Sequence, residues 1–271
     1  MKNEIDHIKD VAFKIGGVID GEPSDIVKKA LMAIWDLVEE VGEGLMIIDC
    51  ISDLHGFQPE LKGGDLLIVA GDLTARHTPL EMVSFLCWIE AQEYKKKIYI
   101  AGNHDTQLVE EGEYKVFFDG KIFSMRWPEN IEYLCDSGTE FEGLKIWGTP
   151  WTKRFPGINT KCMAFTCDTE EELMVKFALI PDDTDILISH GPPFFILDEI
   201  ETGNVGSLAL LSVLERSKPK LHVFGHIHEN GSKQLIYKRS GYGDENNTQC
   251  INASYVNERY KPVNPPIRIV L

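Results

Sequence analysis

The spacing of apolar residues changes near residue 45. Before it, Ile5, Ile8, Val11, Ala12 and Ile15 recur at helical intervals and stop at Gly16-Gly17. A second stripe, Val27, Ala30, Leu31, Ile34, Leu37, Val38 and Val41, follows Ser24, a residue suited to a helix N-cap. Residues 1–44 therefore predict a helical segment, packed on the rest of the chain or presenting its stripe to a second copy. From Leu45 the apolar residues gather instead in short runs: LMIIDCIS, DLLIVAG, KIYIAG, LKIWGTP, DILISHG and LHVFGH. Between some of them lie longer stretches with helical spacing, PLEMVSFLCWIEAQ and EEELMVKFALI. Such alternation predicts an α/β domain over residues 45–271, with sheets covered by helices and polar residues gathered at strand ends. The last segment, TQCINASYVNERY then KPVNPPIRIVL, predicts one or two strands with a Pro-rich bend.

Composition narrows the setting. With 271 residues, 43% apolar and 10% aromatic, the chain supports a sizeable core. Its 27 basic and 43 acidic residues leave a net charge of −16. That charge opposes nonspecific attraction to duplex nucleic acid and to anionic membrane surfaces, so neither is an expected partner. No apolar run approaches the roughly 20 residues of a membrane span, and MKNEIDHIKD lacks the apolar centre of a signal peptide. The expected location is cytoplasmic. Six cysteines, Cys50, Cys87, Cys135, Cys162, Cys167 and Cys250, form no CxxC pair, which argues against a zinc knuckle or a disulfide framework.

The chemistry sits where the apolar runs end. The first closes on SDLHG, with Asp53 and His55; the second on AGDLTAR, with Asp72; the third on AGNHDT, with Asn103, His104 and Asp105. Two more close on ISHGPP, with His190, and GHIH, with His226 and His228. Taken singly, each is explained by turn chemistry. Taken together, five polar clusters at successive strand ends supply enough nitrogen and oxygen donors for two cations, and such mixed ligation suits Mn, Fe, Zn or Ni better than Ca.

This ordered set, DxH, GD, GNHD, H and GHxH, resembles the signature of the calcineurin-like metallophosphoesterase superfamily. NIEYLCDSGTEFEGLKIWGTPW and INASYVNERYKPVNPPI further resemble segments of its brain-type MPPED phosphodiesterase subgroup, in which some members carry Gly at the position of His226. The resemblance covers residues 45–271 and implies a four-layer αββα sandwich, two mixed sheets flanked by helices, beside the N-terminal helical extension. It implies that Asp53, His55 and His228 hold a first divalent ion, that Asn103, His190 and His226 hold a second, and that Asp72 bridges them. Two such ions about 3.5 to 4 Å apart share a water and make it a nucleophile near neutral pH. His104 would stand near the leaving group, with Asp105 orienting its ring. Arg76, Trp151 and Arg154 are candidate substrate contacts, Arg76 for a phosphate oxygen and Trp151 for stacking on a base. The implied activity is hydrolysis of cyclic or linear nucleotide-type phosphodiesters. The alternatives are a phosphomonoesterase on a small substrate and a weakly active binding or scaffold module, with the N-terminal helices as a route to a homo-oligomer.

Overall fold

The computed structural model describes residues 45–108, 115–118, 121–124, 128–155, 162–238 and 247–271. The N-terminal segment 1–44, expected to be helical, lies outside the described residues. The described residues divide into two units, the first taking in residues 45–48 with Ile269–Leu271 and the second Asp49–Arg268. In the first, Met46 and Leu271 exchange two backbone hydrogen bonds. The second holds every candidate site residue.

Two sheets dominate. The first contains β1 (Ile47–Ile51), β2 (Gly64–Ala70), β3 (Tyr94–Ile100), β6 (Ile131–Tyr133) and β17 (Ile267–Val270), in the order β17-β1-β2-β3-β6. The second contains β7 (Ser137–Phe141), β8 (Leu144–Thr149), β11 (Ile186–Ser189), β14 (Leu221–Phe224), β15 (Lys233–Tyr237) and β16 (Thr248–Asn252), in the order β15-β16-β14-β11-β8-β7. Strands β8, β11, β14 and β16 run parallel, and an antiparallel strand flanks them on each side. Two-stranded pairs complete the set: β4 (Lys115–Phe118) with β5 (Lys121–Ser124), β9 (Thr152–Lys153) with β10 (Thr166–Cys167), and β12 (Glu199–Ile200) with β13 (Gly203–Asn204). All six apolar runs read from the sequence end up as strands, and the C-terminal segment supplies β16 and β17.

Strand alternation explains the layering. Leu67, Val69 and Tyr99 point one way, into a core with Met82, Phe85, Leu86 and Ile89 of helix α1 (Pro79–Glu90). Buried Leu66, Ile68, Ile98 and Ile100 occupy the other face. There the two sheets meet: a Cβ on Gly148 of β8 would stand 2.8 Å from Ile100 Cγ2 and 2.4 Å from Leu134 Cβ, so only glycine admits this approach. Beyond the second sheet, Leu187, Phe224 and Cys250 pack with Leu173 and Phe177 of helix α2 (Glu170–Phe177) and Leu210, Val213 and Leu214 of helix α3 (Leu208–Ser217). The order is helix, sheet, sheet, helices.

Each helix starts where its sequence provides a cap. Thr78 and Thr169 form capping boxes with Glu81 and Glu172, and Ser207 accepts from Leu210 N–H. Such caps contribute about 1 kcal/mol each. Helix α3 was not among the sequence-predicted helices. Among the described residues no helix is long and apolar enough to cross a membrane.

Candidate metal centre

The side chains singled out at five strand ends converge. Asp53 and His55 follow β1, Asp72 follows β2, Asn103, His104 and Asp105 follow β3, His190 follows β11, and His226 and His228 follow β14. Four of them, Asp53, His55, Asp72 and His226, have positive φ values of 53°, 42°, 52° and 69°. A non-glycine residue in that region costs roughly 1–2 kcal/mol, so surrounding bonds must hold it there. The His226 N–H donates to both oxygens of Asp53 at 3.1 and 3.0 Å, and the His104 N–H donates to Asp72 Oδ1 at 2.9 Å. Gly225 makes the first of these contacts possible, since a Cβ there would stand 2.0 Å from Asp53 Oδ2.

The ligand-type atoms form two groups. In the first, His228 Nε2 lies 3.2 Å from Asp53 Oδ1 and 3.4 Å from His55 Nε2. In the second, Asp72, His190 and His226 cluster, with Asn103 Oδ1 3.0 Å from His190 Nε2. Asp72 belongs to both: its Oδ2 is 3.7 Å from His55 Nε2 and its Oδ1 is 3.4 Å from His190 Nε2. Nitrogen and oxygen ligands about 2.1 Å from a shared ion, at tetrahedral angles, stand about 3.4 Å from one another, which is the separation seen here.

Electrostatics test the same fit. Asp53 and Asp72 are buried, yet their carboxyls are held well below the usual range: burial raises them, and His228 for Asp53 and His190 for Asp72 outweigh it. Burial lowers His190 in turn, but Asp72 and its other partners raise it to about 9. The buried carboxylates thus demand positive charge, which the His190 proton supplies in the protein alone and a divalent cation would supply in its place. Burial pushes His55 down to about 4 and His226 down to about 3, leaving them neutral as metal ligands must be. His226 Nε2 is buried without a hydrogen-bond partner, an expense that a cation at this position removes. Once neutral, His190 donates from Nδ1 to Ala70 O at 3.0 Å and presents the Nε2 lone pair to the cluster. The residues present fit divalent cations.

His104 is buried with Nε2 4.0 Å from Asp72 Oδ2, facing the cluster. Its other nitrogen, expected to be oriented by Asp105, instead faces Ala75 O at 3.3 Å. Asp105 is engaged elsewhere. It accepts from the backbone N–H groups of Gly102, Leu73 and Thr74 at 2.8, 3.1 and 3.0 Å, and from Thr74 Oγ1 at 3.0 Å. Burial, with Asp72 close by, still pushes its pKa up to about 6. Asp105 therefore ties the loop carrying Asp72 to the loop carrying Asn103 rather than steering the His104 ring.

The expected substrate contacts separate. A hollow of about 210 Å³ opens over the cluster, lined among others by Asp72, His104, His226 and His228. Arg76 lines an adjoining hollow that begins at His55. Arg154 is not brought to either: its guanidinium pairs with Asp168 at 3.0 Å. Trp151 packs between the two helix-side cores, gives its N–H to Asp136 Oδ2 at 2.7 Å, and carries Lys176 Nζ 3.6 Å above its ring. The half-buried ring also borders a small hollow shared with Phe155 and His226. Sequence reasoning missed Tyr260, whose ring stands edge-on to His55 and His228 with centroids 4.9 and 5.1 Å away, and Phe155, stacked on His226 at 5.5 Å. It also missed Ser254, which donates to Asp53 Oδ2 at 2.7 Å. An aromatic residue in the otherwise polar stretch NERYK was the available signal for Tyr260.

Known proteins resemble this chain over most of its length. Human metallophosphoesterase domain-containing protein 1 is 37% identical over 243 residues, covering 82% of this chain and 70% of that protein. A UPF0046 protein of Caenorhabditis elegans is 33% identical over 245 residues, covering 80% of this chain and 58% of that protein. These relatives support the subgroup resemblance drawn from the segments around Trp151 and Tyr260. One solved crystal structure, 14% identical, matches with a TM-score of 0.50 over 77% of this chain and 90% of that one, a likeness of fold alone. The calcineurin-like phosphoesterase family matches residues 46–230, which carry every strand-end motif from Asp53 to His228, and this chain belongs to that family.

Proposed function

We propose that this metal-dependent phosphoester hydrolase cleaves phosphodiesters of the cyclic or linear nucleotide type. The observation that carries the reading is the division of Asp72, one oxygen toward each ligand group, beneath a hollow whose described lining includes Glu229 and Glu258 and no Lys or Arg. A phosphomonoester brings close to two negative charges at neutral pH, whereas a diester brings one. Two carboxylates on the rim make the second charge costly. Phe155, Ile200, Ile227 and Tyr260 give the same hollow apolar walls suited to the organic groups on either side of a diester phosphate.

Divalent cations held by Asp53, His55, Asp72 and His228, and by Asp72, Asn103, His190 and His226, would supply Lewis acidity toward phosphoryl oxygens and acidify the hydrolytic water. His104 offers Nε2 to the departing oxygen, as a hydrogen-bond donor or proton source. Its backbone N–H fixes Asp72, so the loop that brings the acid also orients the shared carboxylate. Asp105 keeps the two loops in register through bonds to three backbone N–H groups.

Hydrolysis of bis-p-nitrophenyl phosphate is to be compared with that of p-nitrophenyl phosphate, after chelation and add-back of Mn, Fe, Zn or Ni. The expected result is diester turnover restored by metal and lost in Asp72→Asn. Preference for the monoester would overturn the diester reading. Two bound ions with no turnover of either substrate would leave a binding module as the better description.

A further inference from the structure

We propose that His77, Cys162 and His104 form a separate site for a thiophilic cation such as Zn²⁺, and that its occupancy arrests the enzyme. The arrest rests on the hydrolase reading; the ion site does not.

The three side chains come from different segments: His77 just before helix α1, His104 after β3, and Cys162 from the stretch between β9 and β10. Each offers one ligand atom, and those atoms all lie within 4.8 Å of one another. Zinc ligands stand about 3.4 to 3.8 Å apart, so a closure of about 1 Å seats the ion. Cys162 Sγ is already 3.3 Å from His77 Nε2.

The tautomer of His77 suits a ligand. Its Nδ1 bonds the His104 carbonyl oxygen, and a carbonyl only accepts, so Nδ1 carries the hydrogen and Nε2 presents its lone pair to the sulfur. A backbone carbonyl behind the distal nitrogen is the support that ligating histidines commonly have. His77 is also fixed in an unusual backbone conformation, φ 58°, with its own carbonyl accepting from Gln107 Nε2 at 3.0 Å. The rings of His77 and His104 stand at 18° with centroids 5.3 Å apart, and the 3.3 Å contact of His104 Nδ1 with Ala75 O is long enough to yield to a turn of the ring.

The donor set is what distinguishes this site from its neighbour. The main centre offers only nitrogen and oxygen, whereas a thiolate with two imidazoles prefers Zn²⁺ or a similarly soft ion over Mn²⁺. His104 is common to both regions, since its Nε2 lies 4.0 Å from Asp72 Oδ2. An ion that captures His104 withdraws it from the departing oxygen. Cys162 adds a second link, because its carbonyl accepts from Asn103 Nδ2 at 3.3 Å.

The test uses the full chain with its main centre loaded with Mn²⁺, titrated with Cd²⁺ as a visible substitute for Zn²⁺. Ultraviolet absorbance reports a cadmium–thiolate bond, and bis-p-nitrophenyl phosphate hydrolysis is followed in the same samples. One equivalent is expected to produce the absorbance and to lower turnover in parallel. Cys162→Ser should remove the absorbance and raise the half-inhibiting concentration by about tenfold or more, and His77→Ala should weaken both effects similarly. Each variant is measured against its own cadmium-free turnover. Absorbance that persists in Cys162→Ser, or inhibition at an unchanged concentration, would overturn the proposal. Absorbance that depends on Cys162 in a protein without turnover would uphold the ion site and refute the hydrolase reading instead.

Discussion

Strand β14 carries a fully buried histidine and the loop that follows it a half-buried one, and company separates the two more than burial does. His222 lies within the strand and His226 just beyond it. Burial pushes both down to about 3, and each leaves one ring nitrogen without a hydrogen-bond partner, Nδ1 in His222 and Nε2 in His226. His222 Nε2 meets Ser189 Oγ at 2.8 Å, and that hydroxyl donates onward to Gly191 O at 2.7 Å, so the ring is an N–H donor within the fold. His226 faces Asp72 and His190 and stands beside Asp53. A buried neutral imidazole is therefore no sign of a metal site. Buried carboxylates beside it are, because they leave a negative charge that only a cation or a proton answers.

The sharpest test of this contrast is Asp72→Asn, which removes the charge shared by both ligand groups. Loss of about 4 kcal/mol of transition-state stabilisation, roughly 10³-fold in kcat/KM, is expected in a metal-restored diester assay. His104→Ala should cost about 10²-fold and spare metal content, with a smaller loss for p-nitrophenyl esters, whose leaving group needs little protonation. Loss of bound metal in that variant would show His104 to be a ligand rather than an acid. Next come two leucine replacements compared side by side. His226→Leu should weaken metal binding by about tenfold or more, whereas His222→Leu should leave it unchanged by equilibrium dialysis. Equal losses would erase the distinction between the two rings.

The smallest effect concerns pH. His222 has a folded-state pKa of about 3 and an ordinary value of 6.5. Between these values the unfolded chain holds the extra proton at this site, so stability falls as pH drops from 6.5 toward 3. The slope from one group is at most about 1.4 kcal/mol per pH unit. Denaturant unfolding of His222→Leu across that window should lose this part of the slope, and an identical slope would mean that the ring titrates normally in the fold.

Much of this was legible in order and spacing. The motif residues stand at strand ends because each apolar run is long enough for one buried strand, and the polar residues after it can only turn. Their convergence follows from the parallel strands, which bring their carboxyl ends to one side. Contacts across the fold were not legible. Tyr260 reaches His55 from 205 positions along the chain, and the lone aromatic in NERY marks the residue without saying which partner it meets. The partners of Trp151 and Arg154 were equally out of reach of local sequence. Both residues follow a strand end as the ligands do, but the short pair β9 and β10 turns them toward Asp136 and Asp168. Asp105 sits within a ligand motif yet serves backbone N–H groups, a role that residue identity alone does not separate from catalysis.

Asp53, Asp72 and Asn103 leave the first sheet, while His190, His226 and His228 leave the second. Cations bound among them would fasten two sheets whose ligand residues stand as many as 175 positions apart, as Asp53 and His228 do. The unfolded chain offers no such site, so the binding energy adds to the work of prising the sheets apart. The metal-loaded molecule should then outlast the stripped one under protease, with the difference arising in the rate of opening rather than the rate of folding. In this fold the catalytic ions would double as a determinant of molecular lifetime.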